Sequence, residues 1–162
     1  PAVIRTPVTG VDLTSTIMAQ AETKPQWRMH GRDLTPLIEG GKNFTGDRAR
    51  MLLTHTARNY GKNTAVIPKP GDKALTHGPG VPWYAILCEG RYKYVRTLIA
   101  GEVEELYDVE NDPEELDNLA IKPAFQKILA SYRANTTAEL QRTEAPFVDN
   151  LPPVKKAGKI ND

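Results

Sequence analysis

The chain has 162 residues, and its 21 basic and 20 acidic side chains give a formal net charge of +1. A nearly neutral chain has no strong overall field, so its composition indicates neither nucleic acid nor an anionic membrane as a partner. No apolar run reaches the ~18 residues that a membrane-spanning helix needs. The single cysteine, Cys88, excludes an intrachain disulfide and a thiolate metal cage. The length suits one domain with a core of its own, and 13 prolines indicate many shaped loops.

The first predicted element is a short amphipathic helix. Leu13, Ile17 and Ala21 are spaced at i, i+4, which predicts one buried stripe, and Thr9 or Asp12 can cap the start of the helix. A turn and a short apolar stretch follow in HGRDLTPLIEGG, where two glycines end the pattern. We expect this part of the chain to lie against something larger.

A β-hairpin is predicted in the middle of the chain. The segments WYAILC (83–88) and RYKYVRTL (91–98) are rich in β-branched and aromatic residues, and they flank a two-residue turn, Glu89-Gly90. Residues 50–55 and 103–109 predict two further strands. Residues 58–82 hold several prolines and glycines and predict a long loop, and long irregular loops often carry function.

The last third of the chain is predicted to be mostly helical. NDPEELDNLA (111–120) predicts a turn and a one-turn helix, with Asn111 or Asp112 as its cap. The longest helix is predicted from Pro123 to about Arg142. Its apolar stripe should cover one face of the sheet and consists of Phe125, Ile128, Leu129, Tyr132 and Leu140. Residues 146–162 have too little apolar content to fold alone and predict an extended tail.

Three local motifs resemble functional sites, but each has a simpler explanation. DVENDPEELDNL alternates acidic residues as a calcium loop does, yet Pro113 stands where Gly is required and Leu119 where Glu is required. RYKYVR could stack nucleic-acid bases on its tyrosines, but an amphipathic strand covered by Lys and Arg stems is favoured. His30, His55 and His77 are too far apart in the sequence for a local metal motif.

Several segments of the chain carry a family resemblance when they are taken in order: TPVTGVDLTSTIMAQA, HGRDLTPLIEGG, GRYKYVR, ELYDVENDPEELDNLA and AELQRTEAPFVDNLP. Together they resemble the C-terminal portion of the formylglycine-dependent sulfatases, within the alkaline-phosphatase-like superfamily. The resemblance spans residues 6–153. Ser15 stands where the family often has Pro, and His30 where it often has Asp.

The resemblance implies an α+β fold. A small antiparallel sheet of about four strands is packed by a long C-terminal helix and preceded by a short helix from the edge of an absent α/β domain. Residues 1–42 would form that edge, residues 43–145 the C-terminal sulfatase subdomain, and residues 146–162 an extended tail. The expected partner is the absent N-terminal sulfatase domain, with self-association through the exposed early helix as an alternative. A periplasmic or secreted parent fits the resemblance.

The family hydrolyses sulfate esters with a formylglycine, matured from Cys or Ser in a C/S-x-P/A-x-R motif, beside calcium or magnesium. Cys88-Glu-Gly-Arg91 does not match, because Gly stands where Pro or Ala is required and Arg comes one place early. Asp149-Asn150 resembles a metal-binding pair but lies in a proline-rich segment. The resemblance therefore implies that the parent supplies the nucleophile and metal ligands elsewhere, that this chain has no catalytic or metal-binding residue, and that it is inactive alone.

The long loop, residues 58–82, is the candidate wall of the parent's substrate pocket. His55, His77 and Trp83 are the predicted contacts to a sulfate-ester substrate, because imidazole donors and aromatic faces suit an anionic or sugar-like ligand. The alternative for each residue is that it merely locks the loop in place. Two other functions stay open: a stand-alone carbohydrate- or polyanion-binding module, and a part of a related phosphodiesterase or phosphonate hydrolase.

Overall fold

The computed structural model describes residues 4–40, 50–55, 76–77, 81–99 and 102–154. For residues 51, 53, 55, 76, 77, 81 and 82 the description covers the backbone only. The chain divides into two compact units, residues 1–51 with 88–90 and residues 52–87 with 91–162. None of the described helices is long and apolar enough to cross a membrane.

The first unit contains two helices, α1 (Gly10–Gln20) and α2 (Thr35–Ile38). The helix α1 begins where the sequence predicted, because the extended Thr9 donates its backbone N–H to Asp12 Oδ2 at 2.9 Å, one half of a capping box. The apolar stripe of α1 is not covered within the described part of the chain: Leu13 is 57% exposed and Ile17 is 67% exposed, whereas Asp12 is buried. This exposure is expected for a helix that packs on an absent domain. The inner side of α1 is polar: Asp12 and Thr16 accept hydrogen bonds from the backbone N–H groups of Arg32 and Leu34.

The main sheet contains β1 (Arg50–His55), β4 (Tyr84–Glu89), β5 (Tyr92–Thr97) and β6 (Glu105–Asp108), in the spatial order β1-β4-β5-β6. The strands β5 and β6 pair antiparallel. A separate antiparallel pair consists of β2 (Thr76–His77) and β3 (Val81–Pro82). This sheet, with the long C-terminal helix, confirms the predicted α+β fold class.

The turn between β4 and β5 lies one residue later than predicted. It consists of Gly90 and Arg91, because β4 continues through Glu89. Gly90 adopts a positive φ of 57°, a conformation that glycine reaches without strain, and glycine is the residue that a type II′ hairpin turn requires at its first central position. The two-residue turn makes β4 and β5 antiparallel neighbours.

The core of the second unit lies between the sheet and α3 (Gln126–Arg142). Leu87, Tyr94 and Leu106 of the sheet pack in one apolar cluster with Leu129 and Tyr132 of α3. Each large apolar side chain removed from water in this way contributes about 1.5–3 kcal/mol. The predicted apolar stripe of the long helix therefore covers the sheet as expected, although the first predicted turn, Pro123–Phe125, is a 3-10 turn.

The segment between β6 and α3 differs from the prediction of a one-turn helix. Glu115 has a positive φ of 57°, which is incompatible with continued right-handed helix. The Asp112 carboxylate instead accepts the backbone N–H groups of Leu116 (3.1 Å) and Asp117 (2.9 Å). The result is an ordered turn, followed by the 3-10 turn Leu119–Ile121.

The predicted tail also differs in its first half. Phe147 is only 4% exposed and belongs to a second apolar cluster, and Val148–Asn150 forms a 3-10 turn. Arg96 Nη2 donates a hydrogen bond to the carbonyl of Pro152 at 2.6 Å. Residues up to Pro152 are therefore packed rather than extended, because their few apolar side chains meet partners from distant parts of the chain. Residues 155–162 of the predicted tail lie outside the described part.

Candidate functional site

Most of the predicted substrate loop lies outside the described residues. Of residues 58–82, the description includes only 76–77 and 81–82, and there only the backbone. His77 lies in β2, opposite Val81 of β3, while Thr76 lies opposite Pro82. His55 ends β1, which belongs to the other sheet. The two predicted histidine contacts are thus carried by different sheets, and their side chains are not described.

Trp83 is the one predicted site residue whose side chain is described, and it is 3% exposed. It shares the second apolar cluster with Leu98, Leu140 and Phe147. Its carbonyl accepts the backbone N–H of Leu98 at 2.9 Å, which prolongs the pairing of β4 with β5. An aromatic ring so thoroughly covered offers little surface to a ligand. The packing favours the alternative that Trp83 locks the loop.

A buried carboxylate joins α1 to the following turn. Asp12 Oδ1 accepts the Arg32 backbone N–H at 2.8 Å, and Asp12 Oδ2 accepts Arg32 Nη2 at 2.6 Å. Burial by itself would raise the pKa of Asp12, but the hydrogen bonds from Arg32 and Thr9 outweigh it and hold this pKa below its usual value. A further hydrogen bond, from Leu34 N to Thr16 Oγ1 at 2.9 Å, also joins α1 to this turn.

A second buried carboxylate, Glu104, fastens α3 to the sheet. Glu104 is 4% exposed and accepts hydrogen bonds from the Tyr94 hydroxyl (2.7 Å) and from Arg133 Nε (2.9 Å to Oε2). Burial and the bond to Glu104 raise the pKa of the Tyr94 hydroxyl, so this group stays protonated and donates. Sequence reasoning missed Glu104, because the segment AGEVEEL contains no motif that separates this glutamate from its neighbours.

The basic strand β5 has the features of an amphipathic strand. Tyr94 is fully buried, and the Tyr92 ring makes an edge contact with Tyr132, with the ring centroids 6.1 Å apart. The Arg91 guanidinium lies 4.9 Å from the centroid of the Tyr92 ring and also binds the Asp108 carboxylate. These contacts occupy the tyrosine faces that base stacking would need.

The acidic segment after β6 is likewise occupied by internal donors. Asp108 accepts hydrogen bonds from Asn111 and Arg91, which outweigh the effect of burial and lower its pKa. Asp112 accepts the two backbone N–H groups of the turn described above. Within the described ranges, no group of three or more His, Cys, Asp or Glu side chains is placed to hold a metal ion.

Comparisons with known proteins point to one family. No family model matches the chain. The chain is 54% identical over 124 residues to a Delta 4,5-hexuronate-2-O-sulfatase of Bacteroides thetaiotaomicron, which covers 76% of this chain and 22% of that relative. The chain thus spans less than a quarter of the relative's length.

Solved structures share the fold. A Bacteroides thetaiotaomicron protein assigned to the sulfatases has a TM-score of 0.62 at 24% identity, over 91% of this chain and 27% of its own. A 2-O GAG sulfatase has a TM-score of 0.61 at 24% identity, over 90% of this chain and 27% of its own. The phosphonate monoester hydrolase of Agrobacterium radiobacter has a TM-score of 0.58 at 23% identity, over 81% of this chain and 24% of its own.

The fold likeness is shared by sulfatases and a phosphonate hydrolase, whereas the strong sequence likeness is to a sulfatase. The segments on which the resemblance was first noted lie in both units of the fold. The chain belongs to the sulfatases of the alkaline-phosphatase-like superfamily, of which it is a C-terminal portion.

Proposed function

We propose that the chain is the C-terminal part of a sulfuric-ester hydrolase whose substrate is a hexuronate sugar sulfated at O2. The observation that carries this proposal is the 54% identity over 124 residues to a Delta 4,5-hexuronate-2-O-sulfatase. The formylglycine nucleophile and the calcium or magnesium ion belong to the rest of the parent protein. The segment Cys88-Glu-Gly-Arg91 does not match the formylglycine motif, which supports that division of labour.

This chain contributes structural support and one wall of the substrate pocket. Residues 1–42 form the edge of the large domain, and the subdomain that starts at residue 43 carries the wall, residues 58–82. His55 and His77 contact the sulfated sugar through imidazole donors, which suit an anionic ligand. Trp83 supports these two contacts indirectly, because its ring is buried in the core.

The exposed apolar residues support docking onto the N-terminal domain. Eight large hydrophobic side chains are exposed in the described part, and seven of them lie between residues 4 and 38: Ile4, Val8, Val11, Leu13, Ile17, Trp27 and Ile38. Concentrated apolar exposure of this kind marks an interaction surface. About three-quarters of the length of these relatives has no counterpart in this chain, and we propose that the N-terminal domain of the parent covers these seven residues.

Activity is tested on the full-length parent and on the 162-residue chain in parallel. The substrates are an unsaturated disaccharide with a 2-O-sulfated hexuronate, the same disaccharide sulfated only on the amino sugar, and an aryl phosphonate monoester. We expect the parent to prefer the first substrate and the chain alone to turn over none. Preference for the phosphonate ester would contradict the sulfatase assignment, and metal-dependent sulfate release by the chain alone would contradict the division of labour.

Docking is tested by mixing the chain with a separately produced N-terminal part of the parent and measuring complex formation by light scattering. Ile17→Glu should abolish the complex, because it places a charge in the proposed apolar contact. Leu116→Glu is the matched control, since Leu116 is 79% exposed but lies in the other unit. A self-associated chain that dissociates with Ile17→Glu and ignores the N-terminal part would indicate the alternative, self-association.

A ligand-binding assay on the chain alone distinguishes a stand-alone binding module from a pocket wall. Saturable binding of a sulfated oligosaccharide to the 162-residue chain, without the rest of the parent, would favour that module over a pocket wall. Under our proposal the chain alone lacks the metal and nucleophile that face the sulfate group, so we expect no saturable binding.

A further inference from the structure

The β2–β3 hairpin is followed directly by a residue of the core, Trp83. The hairpin's last residue, Pro82, is paired with Thr76 and is followed directly by Trp83. Trp83 is 3% exposed, and its carbonyl accepts the Leu98 N–H at 2.9 Å. The backbone of the hairpin, which includes His77, therefore continues directly into a buried indole.

The indole is held partly by residues from beyond the last helix. Phe147, 4% exposed, belongs to the same apolar cluster as Trp83, with Ala145, Val148 and Leu151 packed at its edge. Hydrogen bonds within the segment, Val148 N to Ala145 O (3.1 Å) and Asn150 N to Phe147 O (3.0 Å), shape it into a compact turn.

A charged donor fixes the far end of this segment. Arg96 Nη2 of β5 donates to the Pro152 carbonyl at 2.6 Å, and hydrogen bonds from a charged group are about twice as strong as neutral ones. The segment Ala145–Pro152, which we name the C-terminal clamp, is therefore attached to the sheet at both ends: by Phe147 in the core and by Pro152 at Arg96.

We propose that the C-terminal clamp is a positioning element for the hairpin that carries His77. Phe147 closes the cluster around Trp83, and Trp83 fixes the end of β3. The consequence for substrate binding rests on the proposed pocket-wall function, whereas the consequence for the order of the hairpin does not. Phe147 is a positioning residue, since it acts through Trp83 and not on the substrate.

The test is Phe147→Ala in the full-length parent, measured by hydrogen–deuterium exchange of the peptides that contain residues 76–83 and 95–99. Removing the ring leaves a cavity in the apolar cluster that contains the indole, so the hairpin should open more often. We expect exchange of these peptides to become about tenfold faster, which corresponds to about 1.4 kcal/mol of local opening free energy. The Leu98 amide, bonded to the Trp83 carbonyl, is the most direct reporter.

The matched control is Leu129→Ala, which truncates a similarly buried side chain in the other apolar cluster. It should lower global stability without a selective effect on residues 76–83. If Phe147→Ala unfolds the parent, two milder variants give the same comparison. Phe147→Leu removes less of the packing, and Arg96→Gln weakens the bond to the Pro152 carbonyl. Unchanged exchange of the hairpin in a folded Phe147→Ala, Phe147→Leu or Arg96→Gln variant would overturn the proposal.

Kinetics distinguish the clamp from the pocket wall. With the 2-O-sulfated disaccharide, Phe147→Ala and His77→Ala should both raise KM several-fold at nearly constant kcat, the pattern expected when uniform binding is lost. Only Phe147→Ala should also speed the exchange of the hairpin. Faster exchange with an unchanged KM supports the clamp and refutes the binding role of His77.

Discussion

Gly31 is the position where one added methyl group is expected to do most damage. A Cβ atom built on Gly31 would lie 2.1 Å from the Val11 carbonyl oxygen and 2.6 Å from Ser15 Oγ. Real Cβ atoms do not approach other heavy atoms within 3.0 Å, so Gly31→Ala must push the turn away from α1 by roughly 1 Å. The nearest obstacle is backbone, which cannot rotate aside as a side chain can.

The cost follows from the hydrogen bonds beside the glycine. Arg32 N lies 2.8 Å from Asp12 Oδ1, and Leu34 N lies 2.9 Å from Thr16 Oγ1. A 1 Å displacement takes both bonds beyond the ~3.2 Å limit of a useful N–H···O bond. Losing one bond to a carboxylate and one to a hydroxyl costs about 2–4 kcal/mol in total. Residual overpacking adds about 1 kcal/mol or more, so we expect a loss of roughly 3–5 kcal/mol.

The measurement is urea unfolding of the 162-residue chain, followed by far-ultraviolet circular dichroism. Gly10→Ala is the matched control, because a Cβ at Gly10 meets no atom within 4 Å, and alanine should there be neutral or stabilising by up to about 1 kcal/mol. A loss below about 0.5 kcal/mol for Gly31→Ala, within the range of ordinary surface substitutions, would refute the reasoning. Full rescue by a second change, Ser15→Ala, would show that the hydroxyl, and not the backbone of α1, is the obstacle.

Two further predictions concern the buried carboxylates. The folded chain lowers the pKa of Asp12, so this carboxylate contributes stability that is complete above about pH 4 and is lost as the pH falls through the lowered pKa. Asp12→Asn should therefore flatten the acid dependence of the free energy of unfolding, measured in urea between about pH 5 and pH 2. An unchanged pH profile would contradict this prediction. Glu104→Gln should lower the free energy of unfolding by about 1–3 kcal/mol, because Arg133 loses its carboxylate while Tyr94 keeps an acceptor. The exposed Glu102→Gln is its control, and equal effects of the two changes would remove any special role of Glu104.

Local patterns in the sequence were enough for the sheet and the long helix. The hairpin could be predicted because its strand signals and its turn are adjacent in the chain, and only the placement of the turn at Gly90-Arg91 was off by one residue. The apolar stripe of α3 could be predicted because a 3.6-residue period fixes which side chains share a face. Both inferences use residues within a few positions of each other.

Long-range contacts were beyond such patterns. Arg32 and Asp12 meet across 20 positions, and nothing in either segment alone indicates the other. The segment around Phe147 has too little apolar content to predict a packed turn, and its burial depends on Trp83, far away in the sequence. For the candidate site, the sequence predicted Trp83 as a substrate contact, and its burial favours an anchor over a direct contact.

The polar and apolar sides of α1 have different requirements. The polar side is satisfied within its own unit, since Asp12 and Thr16 accept the N–H groups of Arg32 and Leu34. The apolar side, which includes Leu13 and Ile17, has no such cover in the described part of the chain. A helix whose shape is fixed internally presents its apolar surface without further ordering, and pre-ordered surfaces lose less entropy on association. Under the proposed docking onto the N-terminal domain, assembly should therefore fail in two separable ways. Gly31→Ala would lower the stability of the chain and distort the surface, whereas Ile17→Glu would leave unfolding in urea nearly unchanged and remove only the contact.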